Sequence, residues 1–157
     1  MMRATSIIRR ANVDADRVVD VITLDHGDRH RRRILLNADG GTTFLLDLEK
    51  AEALEDGDAI RLDTGWLIEV RAASERLMEI RTGDILELLN LAWHIGNRHV
   101  PAEIGPNAIY IGYDHVLMDM LRGLGARVEV VDRPFQPVRG AYHHEHGHHH
   151  HSGHAHG

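Results

Sequence analysis

Gly96-Asn97-Arg98-His99-Val100-Pro101 divides two kinds of sequence, and its reading decides how the second half of the chain folds. Before it, Ile85, Leu88, Leu89, Ala92 and Ile95 recur at the spacing of a buried helical stripe. Gly96 and Asn97 suit a helix C-terminus, because both tolerate the left-handed backbone that closes off the last carbonyls. Pro101 denies any helical continuation and pushes Val100 toward an extended conformation. His99 is thereby presented on a short, stiff link between two packed elements, a place where a scaffold holds a functional side chain. The bland alternative is an imidazole satisfied by neighbouring backbone.

Outward from this stretch the pattern is regular. Leu77-Met78-Glu79-Ile80 reads as a strand, and Gly83-Asp84 opens the helix with Asp84 as N-cap. Ala102-Glu103-Ile104 and Ala108-Ile109-Tyr110-Ile111 read as strands joined by a tight reversal at Gly105-Pro106-Asn107. Asp114 caps a second helix, with Val116, Leu117, Met120, Leu121 and Leu124 as its apolar face. Gly125 ends it, and Val128-Glu129-Val130-Val131 supplies a last strand. The order is that of a ferredoxin-like βαββαβ domain. An RNA-recognition module shares it but needs stacking aromatics on its central strands, where this chain has aliphatics, Met78 and Tyr110.

Residues 1–73 consist of short β-like phrases. Ser6-Ile7-Ile8, Val18 to Leu24, Arg33 to Leu36 and Thr43 to Leu46 are rich in branched residues and separated by Gly- and Asp-containing turns. Ile60-Arg61-Leu62-Asp63 and Trp66 to Val70 flank Thr64-Gly65 as a hairpin. This predicts a β-rich N-terminal domain, sandwich or barrel-like, with a boundary near Ala72 to Ser74. The basic run Arg29-His30-Arg31-Arg32-Arg33 reads as a solvated strand edge, since no aromatic residue interleaves with it to stack bases. His26 and His30 read as surface residues.

The chain has 43% hydrophobic residues among 157, enough for a real core, but few aromatics, so aliphatic packing must dominate. It has no cysteine, which excludes disulfides, thiolate metal sites and cysteine nucleophiles and fits a reducing cytoplasm. No apolar run is long enough to span a bilayer, and a net charge of −6 argues against a nucleic-acid or membrane-surface binder. A soluble, cytoplasmic protein is expected. From residue 141 the chain loses apolar content and becomes a His-rich tail, expected to be disordered without a ligand.

That tail carries nine imidazoles: His143, His144, His146, His148, His149, His150, His151, His154 and His156. Neutral imidazole is a good ligand for Ni(II), and also for Zn(II) and Cu(II) in vitro. The irregular interruptions by Glu145, Gly147, Ser152, Gly153 and Ala155 do not look like an artificial tag. His99 alone cannot hold a transition metal. Its helpers are His94, which reads as a core or cap residue, His115 beside Asp114, or a second copy of His99 across a two-fold axis.

Gly96-Asn97-Arg98-His99 with Pro101 and Ile104, Asp114-His115-Val116-Leu117 with Met120-Leu121, and Gly140-Ala141-Tyr142 before the tail together resemble the UreE family of urease accessory nickel metallochaperones. The resemblance covers essentially the whole chain. It implies a homodimer through the second domain (74–140), nickel bound by His99 across that interface, and further ligands from tail histidines. It also implies delivery of Ni(II) to the urease apoprotein together with accessory proteins that include a GTPase, with residues 1–73 facing those partners. Some members carry a histidine two residues before the one matching His115, where this chain has Tyr113. No enzymatic activity is expected. One rival is a histidine-rich metal store that needs neither His99 nor a delivery partner. Another is a hydrolase built on His99, His115 and Asp114, for which no HxxxH-type helix or carboxylate cluster is present.

Overall fold

Strands and helices form where the apolar spacing and the caps call for them. The computed structural model describes residues 1–139. Along them run β1 (Met2–Ile8), β2 (Val18–Leu24), β3 (His30–Asn37), β4 (Thr43–Ala53), β5 (Ala59–Leu62), β6 (Leu67–Ala72) and β7 (Ser74–Arg81). There follow α1 (Ile85–Asn97), β8 (Ala102–Ile104), β9 (Ile109–Gly112), α2 (His115–Gly123) and β10 (Arg127–Pro134). The fold is a strand-rich α+β arrangement of two sheets.

The first sheet has six strands in the order β2-β6-β5-β1-β4-β3. It is one curled, mixed sheet, where the sequence suggested a sandwich or barrel. Ile22 and Leu24 of β2 and Leu36 of β3 stand at opposite ends of the strand order. They nevertheless share one core with Phe44, Leu46, Ile60 and Ile68. Two of its pairings, β1 with β4 and β2 with β6, are parallel. Parallel pairs join strands distant in sequence, so a reading built on local hairpins does not find them. The hairpin from β5 to β6 is present, with Gly65 at φ 92° closing its turn.

The second sheet runs β10-β7-β9-β8, with every neighbouring pair antiparallel. Met78 and Ile80 of β7, Ile109 and Ile111 of β9 and Val128 of β10 pack with α1 and α2 in one core. On the opposite face Leu77, Ala108 and Tyr110 bury Phe135, which follows β10. This alternation is the two-residue period of strands covered on both sides.

Both helices begin at the expected caps. Asp84 accepts from Glu87 N–H, and Asp114 accepts from the N–H groups of Val116 and Leu117. Their buried faces differ from expectation. α1 buries Leu88, Leu91 and Ile95, while Ile85 and Leu89 are exposed. α2 buries Leu121 and half-buries Leu117 and Met120, leaving Val116 and Leu124 exposed. Each helix carries apolar residues on more than one side, so spacing alone does not say which side meets the sheet.

The two sheets meet at named contacts. Ala73 N–H donates to Leu24 C=O where β6 gives way to β7. The His26 backbone N–H and ring Nδ1 both meet the Glu75 carboxylate, at 2.8 and 2.7 Å. The His26 ring also lies edge-on to Phe135. His26 is therefore half-buried between the sheets and not the surface residue its turn suggested. No helix among the described residues is long and apolar enough to cross a membrane.

Candidate metal centre

His99 is held by the way α1 ends. Arg98 N–H donates to Ile95 C=O and His99 N–H to Gly96 C=O, closing the last turn. The left-handed residue is His99 itself, at φ 58°, the only non-glycine with positive φ among the described residues. The sequence had placed that conformation at Gly96 or Asn97. They remain in the helix, and the chain reverses one turn-step later, just before Val100 and Pro101 resume an extended path. Ile95 is buried on one side of the link and Val100 packs against the same core on the other. Between these anchors the His99 side chain is exposed, and it makes no hydrogen bond or ion pair with another described residue. The alternative of an imidazole satisfied by backbone is thus not what the structure shows.

His115 is the first residue of α2 and is likewise exposed and without a described partner. Val100 and Pro101, which follow His99, form one wall of a groove of about 240 Å³. Gly112, Tyr113 and Asp114, which precede His115, form the other. Asp114 Oδ1 is engaged by two backbone N–H groups, so it serves as a cap. Tyr113 lies under the Arg76 guanidinium at 4.4 Å. His94 is exposed on α1, edge-on to Trp93, and is neither core nor cap. Among the described residues, no three His, Asp or Glu side chains converge as a metal site. The tail residues His143, His144, His146, His148, His149, His150, His151, His154 and His156 lie outside the described residues. A larger hollow of about 380 Å³ at the start of α1 is lined by Arg81, Asp84 and Arg127 and by no histidine.

Sequence reasoning missed Arg29. Read as the start of a solvated basic edge, it is 1% exposed. Its Nε donates to Leu24 C=O, one Nη to Leu54 C=O and Gln136 Oε1, and the other Nη to Phe135 C=O. Burial pulls the guanidinium below its ordinary pKa, and the nearby Glu75 carboxylate pushes the other way. Arg31, Arg32 and Arg33 do lie exposed on the edge strand β3, paired with Asp28 and Asp47. No local signal separates Arg29 from them, since two of its four partners, Phe135 and Gln136, stand more than a hundred residues away.

The scaffold is strand-rich and, among the described residues, exposes the imidazoles of His99 and His115. A family model described as UreE urease accessory protein, N-terminal domain, matches residues 4–73, and its C-terminal counterpart matches residues 75–157. The chain belongs to the UreE family of urease accessory proteins. It is 56% identical over 156 residues to a urease accessory protein UreE from Azorhizobium caulinodans, covering 99% of this chain and 75% of that one. Against the UreE of Chelativorans sp. it is 51% identical, covering 99% and 98%. Against that of Agrobacterium fabrum it is 47% identical, covering 94% and 91%. The family is one of accessory chaperones, so the chain is not an enzyme and its role lies in urease maturation.

Proposed function

We propose that the chain binds Ni(II) and delivers it to the urease apoprotein, in the cytoplasm and together with the other accessory proteins, among them a GTPase. Nickel is the cargo. The reading is carried by His99, an exposed imidazole without a described partner, fixed in a left-handed turn between buried Ile95 and half-buried Val100. One imidazole is too few for a stable nickel site, so two copies of His99 in a homodimer share the ion, with tail histidines and His115 as further ligands. The dimer forms through the second half of the chain. In support, α1 exposes Ile85, Leu86, Leu89 and Trp93, each 59–66% accessible, and leads directly to His99. An unpartnered apolar face of this kind marks an interaction surface. Residues 141–157 give capacity and residues 1–73 face the protein partners. Zn(II) and Cu(II) compete in vitro, because affinity of imidazole sites does not by itself favour nickel.

The test is His99→Ala. Total nickel bound falls only modestly, because the nine tail imidazoles remain. Urease activation at limiting nickel falls sharply while the dimer stays intact. Full activation by this variant would remove His99 from the delivery route and favour a metal store.

A further inference from the structure

The second sheet ends on β10, and among the described residues no strand lies against its outer side. In an antiparallel pair alternate residues turn both backbone groups to the partner, and the residues between them turn both away. Tyr113 N–H donates to Arg76 C=O, so Arg76 and every second residue of β7 face β9, and the residues between face β10. The register Glu75↔Arg133, Leu77↔Val131, Glu79↔Glu129 and Arg81↔Arg127 then gives the residues of β10 that bond to β7. Val128, Val130 and Asp132 turn their N–H and C=O outward. The Arg122 guanidinium agrees, donating to Val128 C=O at 2.8 Å.

That outer edge is marked at both ends. Val128 C=O is taken by Arg122, and Pro134 has no N–H to offer. Between them the N–H groups of Val128, Val130 and Asp132 and the C=O groups of Val130 and Asp132 bond to no described residue. Val130 and Asp132 are exposed. An open edge of this kind is a template for another strand.

The edge matches a second copy of itself. Two β10 strands set antiparallel about a two-fold axis at Val131 place Val130 opposite Asp132 of the other copy, and each such pair exchanges both N–H···O=C bonds. Val128 then faces Pro134 of the other copy. There the occupied acceptor meets the residue without a donor, and Val128 N–H reaches Pro134 C=O, which Arg133 Nε approaches only at 3.5 Å. Every outward N–H finds an acceptor. An axis at Val130 would instead aim Asp132 N–H at the occupied Val128 C=O, and an axis at Asp132 would set Val130 C=O against the proline.

The side chains follow the same register. Val131 meets its own copy in the closely spaced, non-hydrogen-bonded pair. Glu129, exposed and in no ion pair with a described residue, meets Arg133 of the other copy, twice by symmetry. Arg133 is already held on that face, by Glu103 at 2.8 Å and over the Tyr110 ring at 3.9 Å. Asp132 lies diagonal to its own copy, a like-charge contact that weakens the pairing.

We infer that β10 is a self-pairing edge through which two copies join their four-stranded second sheets into one continuous sheet. The contact is separate from the exposed face of α1 and needs no metal. Where the α1 face is also in use, β10 links dimers to one another.

The experiment is sedimentation equilibrium of the full chain with a chelator present, over a concentration series, in the Leu89→Glu background that disables the α1 face. Dimers form in this background. Val130→Pro deletes an N–H that the fold itself does not use and weakens them roughly tenfold or more. Glu129→Lys, which sets a cation against Arg133, weakens them, Asp132→Asn strengthens them, and circular dichroism is unchanged in all three. Amide exchange followed by NMR slows at Val128, Val130 and Asp132 as concentration rises. A Leu89→Glu chain that stays monomeric throughout overturns the inference and leaves the edge to a strand of another protein. Association that proceeds with those three amides still exchanging fast, or that Val130→Pro leaves unchanged, overturns it as well. If Val130→Pro does not fold, Glu129→Lys and the amide exchange decide. If Leu89→Glu does not weaken the parent's association, the same substitutions in the parent chain decide.

Discussion

At the scale of the residue, His99 combines an exposed ring with an unfavourable backbone. A side chain at φ 58° costs about 1 kcal/mol relative to the right-handed region, a cost glycine does not bear. His99→Gly is therefore expected to fold with stability equal to the parent or up to about 1 kcal/mol above it. His99→Ala keeps the strain and gains nothing. Urea midpoints at unchanged m-value measure this, and a loss above about 1 kcal/mol in the glycine variant would mean that the ring packs against something. That both variants lose the tight nickel site while only one gains stability would separate the ring's role from the backbone's. His99 was legible from sequence because Gly96, Asn97 and Pro101 bracket it. Its own left-handed conformation was not, because the helix runs on through both expected terminators.

At the scale of the element, α1 was legible in its ends and not in its sides. Asp84 caps it as a short polar residue before an apolar run should, and the helix ends at Asn97. Leu88, Leu91 and Ile95 meet the sheet while Ile85, Leu86, Leu89 and Trp93 do not, yet all are apolar. Glu87, Asn90, His94 and Asn97 mark one polar stripe, but apolar residues on more than one other side leave the face that meets the sheet open. The proposed dimer interface has a direct test in Leu89→Glu, which puts a carboxylate in the exposed face without touching the core. Dimerisation should weaken by about 3 kcal/mol, roughly a hundredfold in Kd by sedimentation, with helical circular dichroism unchanged. A dimer of undiminished strength would move the interface elsewhere.

At the scale of the whole molecule, the proposed function divides nickel handling between a fixed place, His99, and a reservoir, the histidines of residues 143–156. Removing residues after Tyr142 is expected to lower the number of ions bound while leaving one site per two chains, weaker than in the full chain but tighter than the tail alone. Imidazole binds metal only when neutral, so the lost capacity should also be the part that falls most between about pH 7.5 and 5.5. Capacity that stays flat across that range would rule out an all-imidazole reservoir. The order of strands and helices in the second half was readable because caps, turns and apolar spacing mark each element locally. The curled first sheet and the hold of Arg29 on residues 135–136 were not, because they join distant stretches.

That hold has a consequence in time. Gln136 lies 107 residues beyond Arg29, so a ribosome working at about 5–20 residues per second makes the two meet roughly 5–20 s apart. Until then the first sheet has emerged with a cation only half provided for. The nine histidines of residues 143–156 follow only after the last strand, so on the proposed function the growing chain gains its reservoir for metal after the turn that carries His99.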